Sequence, residues 1–414
     1  MSKKLTVAVV GGGAAGFFSA IAAAQNPNVQ VTLYEAGPEP LAKVRISGGG
    51  HCNVTHHCFE PARLVQNYPR GGKALRGAFS RFQPKDTVAW FKQRGVKLKT
   101  EADGRMFPVT DDSATIVDCL TEAAGRAGVK VLVRSPIIAI QKTDKSFELS
   151  LKSSKQNGPN VVTCDRLLLT TGSSPVGLRA AKALGHTIEP AVPSLFTFNV
   201  ADKRLHQLSG VSVERVDLKL KAEGVKPLTQ SGPLLITHWG LSGPAVLKLS
   251  AWGARLLHTQ KYKASLSVNW LPELTQDRVR AELMEVKAAN GKKAIAAFSP
   301  FSPISKRLWQ YLLSRNEIDP AMTWANLSKK QINKLVQDLM QGSFAVMGKG
   351  TFKDEFVTCG GVKLKEVNFK TMESRLCQGL YLAGEILDID GITGGFNFQS
   401  AWTTGWLAGQ AIAL

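Results

Sequence analysis

Leu5-Thr6-Val7-Ala8-Val9-Val10-Gly11-Gly12-Gly13-Ala14-Ala15-Gly16 decides the fold of this chain. An apolar strand runs straight into glycines, and a helix-like stretch continues to Gln25. A second apolar strand, residues 29–34, then ends on Glu35. This is G-x-G-x-x-G between strand and helix with an acid about 20 residues on, the pattern of a dinucleotide-binding βαβ unit. Gly11 permits the tight turn, Gly13 lets the backbone approach a pyrophosphate, and Gly16 lets the helix pack closely on the sheet. The bare N–H groups at the helix start, across Ala14 and Ala15, hold phosphate charge. Glu35 can accept two hydrogen bonds from an adenosine ribose.

Hydropathy alone offers another reading of the same stretch. Residues 5–24 carry no charge and follow Lys3-Lys4, as an export signal or a membrane span would. Four of those 20 residues are glycines, placed where a spanning helix wants leucine. A second strand and Glu35 follow with no cleavage site between, so the N-terminus reads as a buried βαβ unit and no membrane contact is expected.

The 414 residues suffice for two or three domains, and 44% apolar with 20% charged residues is ordinary for a globular enzyme. The six cysteines (52, 58, 119, 164, 359, 377) form no C-x-x-C, so a reducing, cytoplasmic setting is expected. Charge is less ordinary: 52 Lys and Arg against 32 Asp and Glu leave +20. Such a surplus favours polyanionic partners through steering and counterion release. Part of it is concentrated between Arg63 and Arg105, interleaved with Tyr68, Phe79, Phe82, Trp90 and Phe91. A solvated helical face explains any one of these cations; for the aggregate, contact with nucleic acid stands beside that reading.

The first βαβ element spans 1–35, and a loop over 36–57 carries a second glycine cluster, Ser47-Gly48-Gly49-Gly50. Residues 74–130 read mostly helical, with Asp111 or Ser113 as N-cap of a helix to Ala127. Strands are expected at 129–134, 137–141 and 146–151, then a surface turn at 152–159. Arg166-Leu167-Leu168-Leu169-Thr170-Thr171-Gly172 reads as a buried strand stopping on glycine. Short alternating segments over 194–271 suggest a β-rich domain, and 272–349 reads helical and basic. A further strand, 379–385, leads through Gly394-Gly395 into a C-terminal helix, 397–413. The expected architecture is α/β: a discontinuous Rossmann-type domain (1–193 plus 350–414) interrupted by a β-rich domain (194–271) and a small helical domain (272–349).

Only one G-x-G-x-x-G stands in the right context, so two separate dinucleotide domains are not expected. The C-terminal strand, Gly384-Glu385, loop, Gly394-Gly395 and helix point to FAD, whose length needs a second contact region. Glu385 can meet the ribityl or bridging groups. The amides of Gly394, Gly395 and Phe396, at a helix start, can face the edge of the flavin where negative charge accumulates on reduction.

At this point the chain resembles the bacterial aminoacetone-oxidase-like flavoprotein family, within the glutathione-reductase-type FAD superfamily. The resemblance is carried by 9–16, by Ile46-Ser47-Gly48-Gly49-Gly50-His51-Cys52-Asn53, and by Thr237-His238-Trp239-Gly240-Leu241-Ser242-Gly243-Pro244. Cys359-Gly360-Gly361-Val362, Thr371-Met372-Glu373-Ser374 and the segment from Gly384-Glu385 to Phe398-Gln399 complete it in family order. It implies non-covalent FAD in a domain interrupted by two insertions. It gives Gly11, Gly13, Gly16 and Glu35 to the ADP half, and Lys43, Val44, Ser47, Gly48, Gly49 and Asn53 to the pyrophosphate and ring region. Thr171 and Gly172 would end a strand near the nucleotide; Glu385, Gly395, Phe396 and Asn397 would meet ribityl and isoalloxazine. The chain departs from the family at Leu41-Ala42, where Gly-Arg is usual, at Arg45, usually apolar, and at His51 and Trp239, usually arginine.

Cys52 and His238 are the candidate catalytic groups. A thiol beside the flavin can protonate a carbon while hydride arrives at its neighbour; the other reading, which the residues favour, is a small buried hydrophobe shaping the loop. His238 can serve as acid or substrate contact, or simply be hydrogen-bonded. The His51–Cys58 stretch lacks a second ligand group at zinc spacing, and Gly240-Leu241-Ser242-Gly243 is not G-x-S-x-G. The resemblance implies amine oxidation, reduction of bile-acid intermediates, or reduction of uridine in ribosomal RNA. The charge favours the last, because a cationic amine gains nothing from a +20 protein. The expected function is therefore an FAD enzyme using NAD(P)H as transient reductant on rRNA. A small-amine oxidase and a flavin-containing RNA-binding protein without turnover stand beside it.

Overall fold

The computed structural model describes residues 4–152, 160–222, 226–350 and 357–414. The chain divides into two units, Met1–Val192 with Val357–Leu414, and Pro193–Phe356.

In the first unit β1 (Leu5–Val10) pairs in parallel on both sides, with β2 (Val29–Tyr34) and with the strand Arg166–Leu169. Its last four residues are buried, which is why the run reads as continuously apolar instead of alternating. The seven strands lie in the order Val367–Asn368, Glu373–Ser374, Leu380–Leu382, Arg166–Leu169, β1, β2, Lys130–Leu132. From β1 the chain moves to one side, and only after 150 or so residues, roughly a domain's length, does it reach the other. The strand order therefore reverses at the carboxyl end of β1, the place where open α/β sheets bind ligands. Helix α1 (Ala14–Ala23) is apolar nearly all round because it is buried between this sheet and the C-terminal helix Phe396–Ile412. A Cβ at Gly405 would lie 2.8 Å from the Ala15 carbonyl oxygen, and one at Gly409 2.4 Å from that of Ser19. Small residues thus set the spacing of the two helices.

Residues 74–130 are less helical than their sequence suggests. Helices Gly72–Phe79, Pro84–Lys92 and Ala114–Arg126 are present, but Leu98–Thr100 and Arg105–Pro108 form a hairpin that pairs with Thr55–His56. Gly95 and Gly104, at φ +83° and +87°, end the helix and turn the hairpin; strands of three and four residues are too short to show a period. Ser113 precedes its helix, yet its hydroxyl donates to the Arg45 carbonyl (2.6 Å) instead of capping. Beyond it come the short strands Lys130–Leu132, Ile137–Lys142 and Phe147–Leu151. The turn expected at 152–159 lies, from 153 on, outside the described residues.

The second unit is a closed six-stranded barrel in the order Phe198–Val200, Gly240–Ser242, Leu228–Thr237, Ser212–Lys221, Ala264–Asn269, Gly342–Lys349. Helices Gln276–Ala289, Lys306–Arg315 and Lys329–Gln341 fall in sequence between its last two strands. The expected division at 271/272 is therefore corrected: 342–349, placed with the helices, is the strand that closes the barrel. Closure removes both sheet edges. One core runs from Leu218, Val268 and Phe344 of the barrel into Trp309, Trp324 and Leu335 of the helices. Among the described residues no helix is long and apolar enough to cross a membrane.

Candidate cofactor site

The three motif glycines differ in what they face. A Cβ at Gly11 would lie 2.5 Å from the Thr170 carbonyl oxygen, and one at Gly16 2.0 Å from that of Gly11. A Cβ at Gly13 would meet nothing within 4 Å. Gly11 and Gly16 are demanded by the protein's own packing; Gly13 leaves a cradle that the protein does not fill. Gly13 is also the N-cap of α1, with no side-chain cap and no acid in the first turn, so the helix start is open to an anion. The Glu35 carboxylate is already oriented, accepting from Gly12 N (2.8 Å) and Gly37 N (2.7 Å), and each oxygen keeps a further lone pair. Thr171 Oγ1 is buried with no hydrogen-bond partner at the end of the strand Arg166–Leu169. Beside it a cavity of about 220 Å³ is walled by Val10, Ile137, Leu169, Thr171 and Val176. An unfilled cradle, an uncapped helix, a held carboxylate, an orphaned hydroxyl and an apolar slot fit a phosphate, a ribose and a flat base.

The second glycine cluster lies beyond the short helix Ala42–Ile46. Gly48, Gly49 and Gly50 follow one another at φ +59°, +68° and +91°, a run open only to glycine, whose exposed backbone suits a close-approaching ligand. Lys43 Nζ pairs with Glu385 Oε2 at 2.9 Å, bringing the N-terminal loop and the C-terminal Gly384-Glu385 together. The Gly384 amide is spent, donating to Thr404 Oγ1 (3.0 Å).

Cys52 is 0% exposed, sits at φ +57°, and its thiol is pushed up to about 12 by burial. The protein encloses the thiol, which favours the packing reading of Cys52 over the catalytic one. Val44, at 1% exposed, likewise packs inward. With its amide oriented to satisfy both neighbours, Asn53 donates to Thr55 O (3.0 Å) and accepts from Gly395 N (2.9 Å). It braces the glycine turn and takes one of the three amides expected to face the flavin.

Gly395, at φ +85°, is the N-cap of the C-terminal helix, again without a side-chain cap or an acid in the first turn. Both ends of the Asn397 amide clasp Gly391, accepting from its N–H (2.8 Å) and donating to its carbonyl (2.9 Å), so this side chain shapes the loop. Tyr68 donates from its hydroxyl to the Phe396 carbonyl (2.6 Å), and Ile392 N donates to Asn67 O (2.9 Å). Gln399 Oε1 accepts from Thr55 (2.6 Å) and Thr87 (2.9 Å). The His56 ring stacks on Phe396 at 4.7 Å and 21°, with Nε2 3.1 Å from the Asp103 carbonyl oxygen. Sequence reasoning weighed His56 only within a metal-like run and Tyr68 and Arg70 only within a basic face, and missed their place here; the available signal was the pair Asp388 and Asp390 inside an otherwise apolar run. His238 belongs to the second unit, exposed on the turn between Leu228–Thr237 and Gly240–Ser242.

A family model described as the HI0933-like protein Rossmann domain matches residues 5–411. The chain is 30% identical over 412 residues to a ribosomal RNA dihydrouridine synthase of Escherichia coli K12, spanning 97% of this chain and 96% of that one. It is 29% identical over 416 residues to a 3-dehydro-bile acid delta(4,6)-reductase of Clostridium scindens, spanning 98% of each. Among solved structures, 3-ketosteroid-delta4-(5alpha)-dehydrogenase from Rhodococcus jostii RHA1 aligns with a TM-score of 0.50 at 14% identity, over 99% of this chain and 97% of that one. That last likeness speaks to the fold alone.

Proposed function

The chain belongs to the HI0933-like family and is an FAD-dependent oxidoreductase, and we propose that it uses NAD(P)H to reduce a carbon–carbon double bond conjugated to a carbonyl, with uridine in ribosomal RNA as the acceptor. The observation that carries the reaction class is chemical. Two relatives that match end to end are named for a bile acid and for ribosomal RNA, molecules unlike in size and charge. Their reactions share one group, an alkene conjugated to C=O. Reducing either places hydride on one carbon and a proton on its neighbour.

When bound, FAD supplies the hydride, having taken two electrons from NAD(P)H. The chain's own residues do the rest. Gly13 and the start of α1 would hold the pyrophosphate and Glu35 the ribose. The open start of the C-terminal helix would favour negative charge on a flavin bound beside it. His56, half-buried against Phe396 with Nε2 at the Asp103 carbonyl and Nδ1 buried, braces the start of the C-terminal helix.

Charge supports RNA over a steroid. Residues 193–356 hold 23 Lys and Arg against 13 Asp and Glu, half of the whole surplus. In the segment first favoured by sequence, Arg63, Lys99 and Arg105 sit in ion pairs, Arg70 is turned inward, and Arg94 stacks on Trp90 at 3.7 Å. Lys73, Arg76, Lys85, Lys92 and Lys97 of that segment are exposed and, among the described residues, have no ion pair. In the second unit Lys292, Lys293, Lys329 and Lys330 are exposed and, among the described residues, have no ion pair. Hydrogen bonds from Ala325 N to Gly291 O (3.0 Å) and from Trp324 N to Lys293 O (3.1 Å) tie the turns that carry them. An rRNA transcript incubated with the FAD-loaded protein and NADPH, then digested for nucleoside mass spectrometry, should yield uridine heavier by two hydrogens. Turnover of a conjugated enone with no change in the RNA would keep the reaction class and remove RNA as the acceptor.

A further inference from the structure

We infer that the buried Arg70–Asp390 pair positions the loop at the flavin and tunes the potential of the bound cofactor, an inference that rests on the FAD reading alone and not on RNA.

By sequence Arg70 is one more cation in a basic segment. In the structure its side chain is 12% exposed and that of Asp390 0%. Nε and one terminal nitrogen of the guanidinium donate to the two carboxylate oxygens, a two-armed grip that lysine cannot reproduce. The backbones of the same two residues form an antiparallel bridge. Gly71 leaves no room for slippage, since a Cβ there would lie 2.5 Å from Ile389 Cγ1. On the far side of the pair from Gly71, Asn67 O receives Ile392 N, and Tyr68 holds the Phe396 carbonyl. Asp390 adjoins Gly391, which Asn397 clasps from the first turn of the C-terminal helix. Segment 67–71 therefore clamps the whole loop between Glu385 and Phe396, the stretch that offers a helix start to the cofactor.

The pair also places two full charges where water does not screen them. Together they act as a dipole; either one alone would act on its surroundings as an uncompensated charge. A reduced cofactor gains negative charge, so an unopposed guanidinium favours the reduced form and an unopposed carboxylate the oxidised form. A clamp without electrostatic effect would not distinguish the two.

The test uses the FAD-loaded protein and the midpoint potential read from the visible band against redox dyes. Asp390→Asn should raise the potential and Arg70→Gln should lower it, each by a tenfold change in the two-electron equilibrium, about 30 mV. The double variant should return close to the parent value. Shifts of the same sign, or none, would overturn the inference. Arg70→Lys keeps the charge without the fork, so it should hold the potential while weakening FAD affinity about tenfold, roughly the loss of one good hydrogen bond. If the lone charges prevent folding, Arg70→Lys decides: a moved potential, or unchanged affinity, counts against the pair. An unsubstituted protein that takes up no FAD would strike the flavin reading itself, a result separable from all of these.

Discussion

The Cys52 thiol is sealed inside the loop that its sequence neighbours make conspicuous. The motif Ser-Gly-Gly-Gly-His-Cys-Asn places the residue beside a cofactor loop, but adjacency in sequence does not say which way a side chain faces. The left-handed backbone at Cys52 accompanies a side chain that is wholly buried. Cys52→Ala should therefore keep turnover within about twofold while costing about 1 kcal/mol of stability for the missing packing. A loss of a hundredfold in turnover, with the fold intact, would restore the thiol to the chemistry. His56→Gln, which removes the ring stacked on Phe396, should slow reduction of the bound flavin by NADPH and the later transfer to the acceptor alike. Slowing of the transfer alone by about 10²-fold, the size of a lost general acid, would make His56 a proton donor instead.

The turn between β1 and α1 shows how far a motif can be read and where it stops. Its glycines were legible as a set; which serve the fold and which the ligand was not, because that depends on what a Cβ would strike. Gly16→Ala should lose several kcal/mol or fail to fold, since a backbone oxygen occupies the space. Gly13→Ala should keep its Tm and lose FAD affinity at least tenfold, measured by quenching of flavin fluorescence. Unchanged affinity would empty the cradle of its assigned phosphate. The C-terminal helix after Gly394-Gly395 was legible, as was the helical character of the stretch that holds helices 276–289 and 329–341. The hairpin at 98–108 was not, because its strands are too short, and neither was the return of 342–349 to the barrel. Strand pairing between segments far apart in sequence leaves no local trace.

The chain as a whole carries two properties that no single element does. One is its buried thiols. Burial pushes Cys52 and Cys164 up to about 12 and Cys119 to about 11, from an ordinary value of 9.0. Between pH 9 and 11 the unfolded chain releases these protons and the folded chain keeps them. The unfolded state then binds fewer protons, and stability falls as pH rises. The Tm should drop steadily above about pH 9, and less steeply in Cys52→Ala; a flat profile would contradict the burial. The other property is charge, shared evenly between the two units although sequence drew most attention to 63–105. Exchanging Lys292, Lys293, Lys329 and Lys330 for alanine should lower the slope of log K against log salt for RNA by roughly 0.7 to 0.9 for each phosphate no longer neutralised. An unchanged slope would move the docking face elsewhere. The proposed reaction and its acceptor depend on the protein being a reductase fed by nicotinamide. The first experiment is therefore anaerobic mixing of the FAD-loaded protein with NADPH while the visible flavin band is followed. Rapid bleaching is the predicted result. A band that ignores NADPH and NADH yet bleaches with a primary amine would contradict the account and make the protein an oxidase.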